Sequence, residues 1–345
     1  AADSINRKRY KGNYSNNQIR GATLIFTKHV LIRLNSIFDS TKGYPGEGPI
    51  NVVTYNVDGL RSPGRLNELL SHAKKNAVDI LMIQEHNLVG NLHTRRQVRL
   101  TAAKHDYYAV VGFTAKGRKS GRGGAACFVR TDSPNMRCDN ITHHVHAQGS
   151  VAGATVDVGD RRQKYLSVYA PVWAEERRVW IGVAGKHITK GCIVGGDWNS
   201  TAFPHLDMIH ADKSTIAKPY PHANAMERMI AEAGLTDAYR LYAGDTKQYT
   251  RIGGLVHTRI DRLYVAKHDC HWHVRNITTK PSILPVSWAE NKQDHVPLLM
   301  VIDSPTERTP TKNERRIDIE LLHDNYIRAQ VKKIFETVYY GMMEY

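Results

Sequence analysis

Short apolar runs rich in β-branched residues recur along this chain and predict the strands of a β-sheet core. Six of these runs cover residues 50–55, 80–83, 165–169, 192–194, 263–266 and 296–302. Their length and composition are typical of buried strands bounded by turns. Because a strand that is apolar throughout is covered on both faces, we expect helices or a second sheet to pack on each side of it.

Polar signals stand beside these predicted strands in a fixed order. They are Asn56-Val57-Asp58-Gly59-Leu60, Gln84-Glu85, Tyr169-Ala170-Pro171, Gly196-Asp197-Trp198-Asn199, Arg259-Ile260-Asp261 and Asp294-His295. Any one of them alone would carry little weight, because Asp and Glu also begin helices and turns. Together they predict carboxylates and a histidine gathered at one rim of the core, which is how a metal-assisted hydrolytic site is built.

The ordered set of signals resembles the motifs of the endonuclease/exonuclease/phosphatase superfamily. The resemblance covers roughly residues 50–304, and the glycine-rich residues 121–128 are similar to the central strand of that family. It implies an α/β fold, a four-layer sandwich in which two mixed β-sheets pack face to face and are flanked by helices. The site would then lie at one rim of the sandwich.

Two features resemble the branch formed by the endonucleases of non-LTR retrotransposons, which are related to apurinic-site endonucleases. Gln84-Glu85-His86-Asn87-Leu88 is similar to the Gln-Glu-Thr-His-Leu of that branch, and residues 317–335 resemble its helical linker. Four positions depart from the expected pattern, since Gln293 and Thr258 stand where Ser is usual and His86-Asn87 stands where that branch has Thr-His. None of the expected catalytic positions is lost, which favours retained catalysis.

The polar residues match the chemistry that phosphodiester cleavage requires. A hard cation has to neutralise the phosphate oxygens, and a base has to orient the attacking water. Glu85 is the strongest candidate for a direct ligand of Mg²⁺, which prefers one or two carboxylates, and Mn²⁺ is an alternative. We predict that Asp58 and Asn56 hold the ion or its waters, and that Asp294 assists.

The resemblance implies roles for the remaining site residues. Asp197 would orient or deprotonate the attacking water, and Asn199 would hydrogen-bond the scissile phosphate. Asp261 would hold His295 in a pair that fixes the tautomer and lets the imidazole contact the phosphate as a cation. Tyr169 would donate a hydrogen bond to a phosphate oxygen or to the leaving group.

The charge of the chain favours a nucleic-acid partner, either DNA as substrate or RNA in a structural role. The chain has 48 Lys and Arg against 33 Asp and Glu, a formal net charge of +15. Basic proteins of this kind commonly bind polyanions. A glycine-rich loop is expected to contact phosphates through Lys116, Arg118, Lys119 and Arg122, with a solvated surface loop without this role as the alternative. Arg259 is interpreted as a backbone-phosphate contact or, equally, as a structural residue.

The pattern divides the chain into three parts. Residues 1–49 form a basic extension with a predicted helix at residues 22–38, and residues 50–304 form the family-like domain. Residues 305–345 form a charged helical extension that resembles a retrotransposon linker. Both extensions are candidates for contact with a protein partner. The first segment is basic and acid-poor like an organelle transit peptide, and the cysteines are typical of reduced thiols, so we expect an intracellular protein of the nucleus or the mitochondrion.

Other features point to no further site. The four cysteines lie too far apart for a zinc knuckle and predict reduced, mostly buried thiols. The clusters His143-His144-x-His146 and His271-Trp272-His273 are interpreted as chance groupings in a histidine-rich chain. Arg161-Arg162 and Arg177-Arg178 are interpreted as a turn and a helix face respectively, without an assigned role. No apolar run approaches the roughly 20 residues that span a bilayer, so no membrane contact is expected.

Three functions are compatible with this sequence. The first is a Mg²⁺-dependent endonuclease that nicks DNA, of retrotransposon or apurinic-site type. The second is a domesticated copy, active or not, that serves as a structural RNA-binding subunit of a ribonucleoprotein such as an organellar ribosome. The third is a phosphodiesterase or phosphatase acting on inositol phosphates or sphingomyelin, which the nuclease-like residues 56–61 and the basic charge disfavour.

Overall fold

The computed structural model describes the central part of the chain. The described residues are 48–62, 64–114, 123–146, 148–159, 161–210, 222–266, 274–285, 288 and 294–303. The helix predicted at residues 22–38 and the extension at residues 305–345 lie outside them, as do Gln293 and Cys270. Among the described residues, no helix is long and apolar enough to cross a membrane.

Six strands form the first sheet. They are β1 Ile50–Asn56, β2 Ile80–Gln84, β3 Tyr107–Gly112, β4 Ala125–Arg130, β14 Val274–Thr279 and β15 Leu298–Ile302. Their spatial order is β14, β15, β1, β2, β4, β3. The sheet is mixed, because β1 and β2 run parallel while the other neighbours run antiparallel.

A second mixed sheet also has six strands. They are β5 Arg137–Val145, β6 Val151–Val158, β7 Arg161–Tyr169, β8 Ile193–Asp197, β10 Leu235–Asp237 and β13 Asp261–Ala266. Their order is β10, β13, β8, β7, β6, β5, and only β7 and β8 are parallel neighbours among these described strands. A small third sheet consists of β9 Met208–His210, β11 Arg251–Gly253 and β12 Val256–Thr258.

The described helices are α1 Arg65–Lys75, α2 Leu92–Lys104, α3 Ala174–Ala184, α4 Pro204–Asp207, α5 Ala223–Glu232 and α6 Ala238–Ala243, with a 3₁₀ turn at Pro281–Ile283. Four of them, α1, α2, α3 and α5, cover the outer faces of the two large sheets. Leu69 of α1 and Val98 of α2 pack in one core with the first sheet, whereas Trp180 of α3 and Met226 of α5 pack with the second. The predicted four-layer α/β sandwich is therefore confirmed.

The core between the sheets explains why the strand sequences are apolar without interruption. Successive side chains of a strand point to opposite faces. Val52 of β1 packs between the two sheets with Tyr165 and Leu263, while its neighbour Val53 packs toward the helices. Both faces of these strands exclude water, so both sets of positions have to be apolar.

The sheets approach each other closely at β8. A Cβ atom at Gly195 would lie 2.7 Å from Met82 Sδ and 3.1 Å from Thr54 Cβ, two atoms of the first sheet. A polar contact crosses the same region, because Gln84 Nε2 donates to Ser167 Oγ at 2.9 Å. Since Gln84 precedes Glu85, this buried contact helps to fix the end of β2 against β7.

All six predicted strands are present, but their bounds differ in places. Residues 296–302 yield the shorter β15, because Val296 N donates to Thr250 O and Pro297 has no amide hydrogen for the ladder. Strand β5 was missed because it is polar and largely exposed, so it contains no apolar run. The described cysteines are free thiols, of which Cys127 and Cys192 are buried and Cys138 is half-buried.

Candidate active site

The predicted polar residues meet where the strands of both sheets end. Asn56 ends β1, and Glu85 directly follows β2. In the second sheet, Asp197 at the end of β8 is paired with Tyr169 on one side and with Asp261 on the other. The shared rim therefore collects side chains that lie far apart in the sequence.

Asn56 joins the two sheets through its side-chain amide. Its Nδ2 atom donates to Asp197 Oδ2 at 2.9 Å and to Glu85 Oε2 at 3.2 Å. Its Oδ1 atom accepts a hydrogen bond from the backbone N–H of Asp58 at 3.0 Å. One buried amide thus holds two carboxylates of different strands in the same network.

Three site residues adopt the left-handed backbone conformation that side chains rarely enter. The φ angles are 44° for Asp58, 55° for Glu85 and 46° for Asn199. Such a conformation costs roughly 1–2 kcal/mol for a residue other than glycine and clusters at functional sites. Glu85 directly follows β2, and Asp58 and Asn199 lie two residues beyond the ends of β1 and β8, so all three stand at the rim.

His295 and Asp261 form a buried pair. His295 Nδ1 lies 2.8 Å from Asp261 Oδ2, and the backbone N–H of Asp261 donates to Thr250 Oγ1 at 3.0 Å. Burial by itself lowers the pKa of His295, but the carboxylates of Asp261 and Asp197 outweigh burial and raise it from 6.5 to about 9. The imidazole is therefore a cation at neutral pH, held by a carboxylate in a fixed orientation.

Asp197 is buried within the same cluster. Burial and the nearby Asp261 carboxylate raise the pKa of Asp197 to about 7, against the charge of His295 and the hydrogen bonds from Asn199 and Asn56. The backbone N–H of Asn199 donates to Asp197 Oδ1 at 2.8 Å. A carboxylate with a pKa near neutrality is suited to accept a proton from water at physiological pH.

Tyr169 and Asn199 lie beside this cluster. The Tyr169 hydroxyl donates to Glu85 Oε2 at 3.2 Å, and burial raises its pKa so that the phenol stays protonated. The side-chain amide of Asn199 donates to Ala170 O at 2.8 Å and also contacts the Tyr169 hydroxyl. The structure brings both residues to the site, and their contacts with a phosphate stay predictions.

The oxygen donors around Glu85 fit a hard divalent cation. Within the described residues, Glu85 Oε1 accepts no hydrogen bond, and the nearby Asp58 side chain is exposed. Carboxylate oxygens with room for water are the ligands that Mg²⁺ prefers. Asp197, Asp261 and His295 also offer three ligand atoms within 4.8 Å of one another. The protonated His295 occupies that cluster and makes it less suitable for a cation.

The structure separates Asp294 from the predicted metal ligands. Its Oδ2 atom pairs with Arg251 Nε at 2.7 Å, and its Oδ1 atom lies 4.0 Å from His295 Nε2. Among the described residues, no hydrogen bond joins Asp294 to Glu85, Asp58 or Asn56. The contacts link Asp294 to the histidine side of the site and give no support to direct metal binding.

The prediction that Arg259 contacts nucleic acid is wrong. Its side chain is fully buried, with Nε 2.8 Å from Asp207 Oδ1 and one terminal nitrogen 2.7 Å from Asp237 Oδ2. A guanidinium between two buried carboxylates cannot reach a phosphate outside the core. The structural alternative therefore holds for Arg259. The four predicted basic loop residues, Lys116, Arg118, Lys119 and Arg122, lie outside the described residues.

Arg177 was interpreted as part of a helix face without a role but is buried at the site. Its guanidinium donates to Pro171 O at 3.0 Å, to Val172 O at 2.8 Å and to Asn199 O at 3.0 Å. It thereby ties the segment after β7 to the segment after β8. Nothing in the local sequence distinguishes it from the exposed Arg178 that follows, so only the fold identifies this role.

His86 and Asn87 brace the turn that carries Glu85. His86 is completely buried, and burial lowers its pKa to about 4. Its Nδ1 atom accepts from the Leu88 N–H at 3.0 Å, so the neutral ring carries its proton on Nε2. Asn87 Oδ1 accepts from the Gly123 N–H at 2.7 Å. These two residues, where the family pattern has Thr and His, connect the site to the base of the glycine-rich loop.

Comparison with known proteins identifies the family of this chain. Residues 53–282 match the model of the Endonuclease/Exonuclease/phosphatase family. A protein of Xenopus laevis described as a transposon TX1 uncharacterized 149 kDa protein is 22% identical over 228 residues, or 64% of this chain. The match spans only 16% of the length of that relative.

Solved structures share the fold at low sequence identity. An AP endonuclease from Leishmania major superposes with a TM-score of 0.57 at 15% identity, covering 75% of this chain and 89% of that one. An AP endonuclease from Archaeoglobus fulgidus gives 0.55 at 18% identity, covering 74% and 99%. The 3′ phosphatase NExo from Neisseria, bound to a product DNA hairpin, gives 0.56 at 18% identity, covering 73% and 98%. Because the family model matches residues 53–282, which is more than half of the chain, this chain belongs to the endonuclease/exonuclease/phosphatase family.

Proposed function

We propose that this chain is a Mg²⁺-dependent phosphodiesterase that nicks DNA, an endonuclease of retrotransposon or apurinic-site type, with Mn²⁺ as an alternative ion. The observation that carries the proposal is the single amide of Asn56, which hydrogen-bonds both Glu85 and Asp197. It joins the best metal-binding carboxylate to the carboxylate with a pKa near neutrality. A cation site and a base for water therefore belong to one network.

Each described side chain has a definite task in this proposal. Glu85, with Asp58, would hold the cation, which when bound supplies Lewis-acid polarisation of the phosphate. Asp197 orients the attacking water and accepts its proton. His295, kept charged and oriented by Asp261, donates a hydrogen bond from Nε2 to a phosphate oxygen.

Tyr169 is the candidate donor to the leaving oxygen or to the phosphate. Its hydroxyl is protonated and lies at the same rim, hydrogen-bonded to Glu85 at 3.2 Å. Occupation of Glu85 by a cation would weaken this hydrogen bond and leave the hydroxyl for the substrate. Asn199 would then orient Tyr169 through the contact between their side chains.

Charge and relatives support nucleic acid as the substrate. The formal net charge of +15 suits a polyanion better than a small phosphate ester. The Neisseria phosphatase with this fold is bound to a DNA hairpin, and the Xenopus relative is a transposon protein. We assign the activity to residues 50–304 and contacts with a protein partner to the two extensions.

The test is conversion of supercoiled plasmid to nicked circle by the purified chain, with Mg²⁺, Mn²⁺ or EDTA. We expect nicking that depends on the cation and is abolished by Asp197→Ala. The matched control is Asp245→Asn, which changes an exposed carboxylate outside the site and should leave the rate unchanged. A parallel duplex with one apurinic site distinguishes the two endonuclease types.

Two results would contradict the proposal. A folded chain that binds nucleic acid but cuts neither plasmid nor apurinic duplex would favour the structural subunit of a ribonucleoprotein. Hydrolysis of a soluble inositol phosphate without nicking of plasmid would favour the small-molecule phosphodiesterase. In both cases thermal unfolding of the same sample establishes that the chain is folded.

A further inference from the structure

Large apolar side chains are exposed beside the candidate active site. Trp173 is 72% exposed and Val172 is 58% exposed, although both follow the site strand β7 by only a few residues. Phe203, which follows β8 and Asn199, is 45% exposed. A group of exposed apolar side chains next to a polar site is typical of a surface that binds a ligand.

The backbone that carries Trp173 is firmly held. Arg177 donates from its side chain to Pro171 O and Val172 O, and from its backbone N–H to Trp173 O at 3.0 Å. The same guanidinium donates to Asn199 O. Trp173 is therefore presented from a braced backbone segment that is tied to the site, and little backbone freedom is lost when a ligand contacts it.

The charges next to Trp173 favour an uncharged ligand group. Glu175 and Glu176 occupy the first turn of α3, and the only salt bridge of Glu175 among the described residues is a loose one, 3.9 Å from Arg178. Carboxylates at this place repel a phosphate. The flat, neutral part of a nucleic acid is the base, and stacking on an aromatic face is the usual way in which a protein binds an unpaired base.

We propose that Trp173 is a stacking platform for a nucleobase of the bound strand, close to the phosphate that enters the site. The proposal rests on the proposed function, since it requires a nucleic acid at the rim. It extends that function because the protein would select a substrate with an unstacked or flexible base beside the scissile phosphate. Duplex that is locally opened or single-stranded should therefore bind more tightly than regular duplex.

The test measures binding in EDTA, so that cleavage does not interfere. Single-stranded and duplex oligonucleotides carry 2-aminopurine at successive positions, and both the affinity and the fluorescence of the analogue are recorded. The variants are Trp173→Ala, Trp173→Phe and Tyr242→Ala, the last being a matched exposed aromatic residue on α6. Because Trp173 is largely exposed, its substitutions should leave the thermal unfolding of the chain unchanged.

We expect quenching at one or two adjacent positions with the unaltered chain. Trp173→Ala should abolish this quenching and weaken binding by about tenfold, whereas Trp173→Phe retains most of both and Tyr242→Ala changes neither. If Trp173→Ala gave the same affinity and the same fluorescence as the unaltered chain at every position, the stacking platform would be overturned but the proposed function would not. Failure of the unaltered chain to bind any of the oligonucleotides would overturn it together with the proposed function.

Discussion

At the scale of single residues, Asp197 and His295 acquire opposite properties from one shared environment. Burial disfavours the charged form of both groups. A protonated His295 in contact with the carboxylates of Asp261 and Asp197 is therefore more favourable than any one of these ions buried alone. The result is a histidine that stays protonated and an aspartate that titrates near neutrality. A charged imidazole that contacts the phosphate and a carboxylate that accepts a proton from water can thus coexist at the same pH.

This arrangement predicts a defined dependence of stability on pH. A histidine whose pKa rises from 6.5 to about 9 on folding stabilises the fold fully below pH 6.5 and loses that contribution as the pH rises to 9. We expect the free energy of unfolding, measured with urea in EDTA, to fall across this window. Asp261→Asn should remove most of the fall, because the histidine then loses its nearest carboxylate, whereas Asp245→Asn should retain it.

Nuclear magnetic resonance of the imidazole checks the same point directly. His295 should carry protons on both nitrogens at pH 7.5 in the unaltered chain and should be neutral at that pH in Asp261→Asn. A His295 that titrates near 6.5 in both forms would show that the carboxylates do not hold the charge.

At the scale of elements, the strand β8 depends on glycine. Gly195 lies against Met82 and Thr54 of the first sheet, and a Cβ at Gly196 would lie 2.0 Å from Val168 O of the neighbouring strand. Gly195 lets β8 pack closely against the other sheet, and Gly196 lets it lie close to β7, while its last residue, Asp197, reaches Asn56. Their presence directly before Asp197 is thus a packing requirement of the site.

Gly195→Ala is expected to disturb both stability and the site. The added methyl group would have to displace Met82, Thr54 or the Leu263 side chain, at a cost of about 1–3 kcal/mol in the free energy of unfolding. Nicking should fall as well, because the sheets move apart where Asn56 meets Asp197. Denaturant unfolding and the plasmid assay measure the two effects.

Gly182→Ala is the matched control for this change. Gly182 lies within α3, and a Cβ there meets nothing within 4 Å. Alanine is the better helix former, so stability should stay equal or rise by about 0.5–1 kcal/mol. Equal losses from both substitutions would mean that close packing of the sheets is not what requires glycine at position 195.

At the scale of the whole molecule, the charge of the chain is distributed around a site that is itself acidic. The site contains Glu85, Asp58, Asp197, Asp261 and Asp294, whereas the chain as a whole has a formal net charge of +15. Basic residues outside the site therefore have to supply the attraction for a polyanion. The loop residues Lys116, Arg118, Lys119 and Arg122 form one such group, with no acidic residue among them.

Salt dependence measures that attraction. Replacement of the four loop residues by Ser should weaken nucleic-acid binding at low salt and reduce the slope of log affinity against log salt by as much as about 3, since each phosphate contact contributes about 0.7–0.9. Replacement of the exposed Lys186 and Lys190 by Ser provides the control for general charge. An unchanged slope in the loop variant would place the phosphate contacts elsewhere on the surface.

The sequence by itself determined the six core strands, the family and the residues that meet at the rim, because apolar periodicity and short ordered motifs are local properties. Tertiary structure alone decided which charged residues are buried, since Arg177 and Arg259 have the same local sequence character as exposed arginines. It alone decided that the amide of Asn56 reaches Asp197, 141 residues away. Contacts across two packed sheets depend on register, glycine packing and burial, none of which is contained in a local pattern of residues.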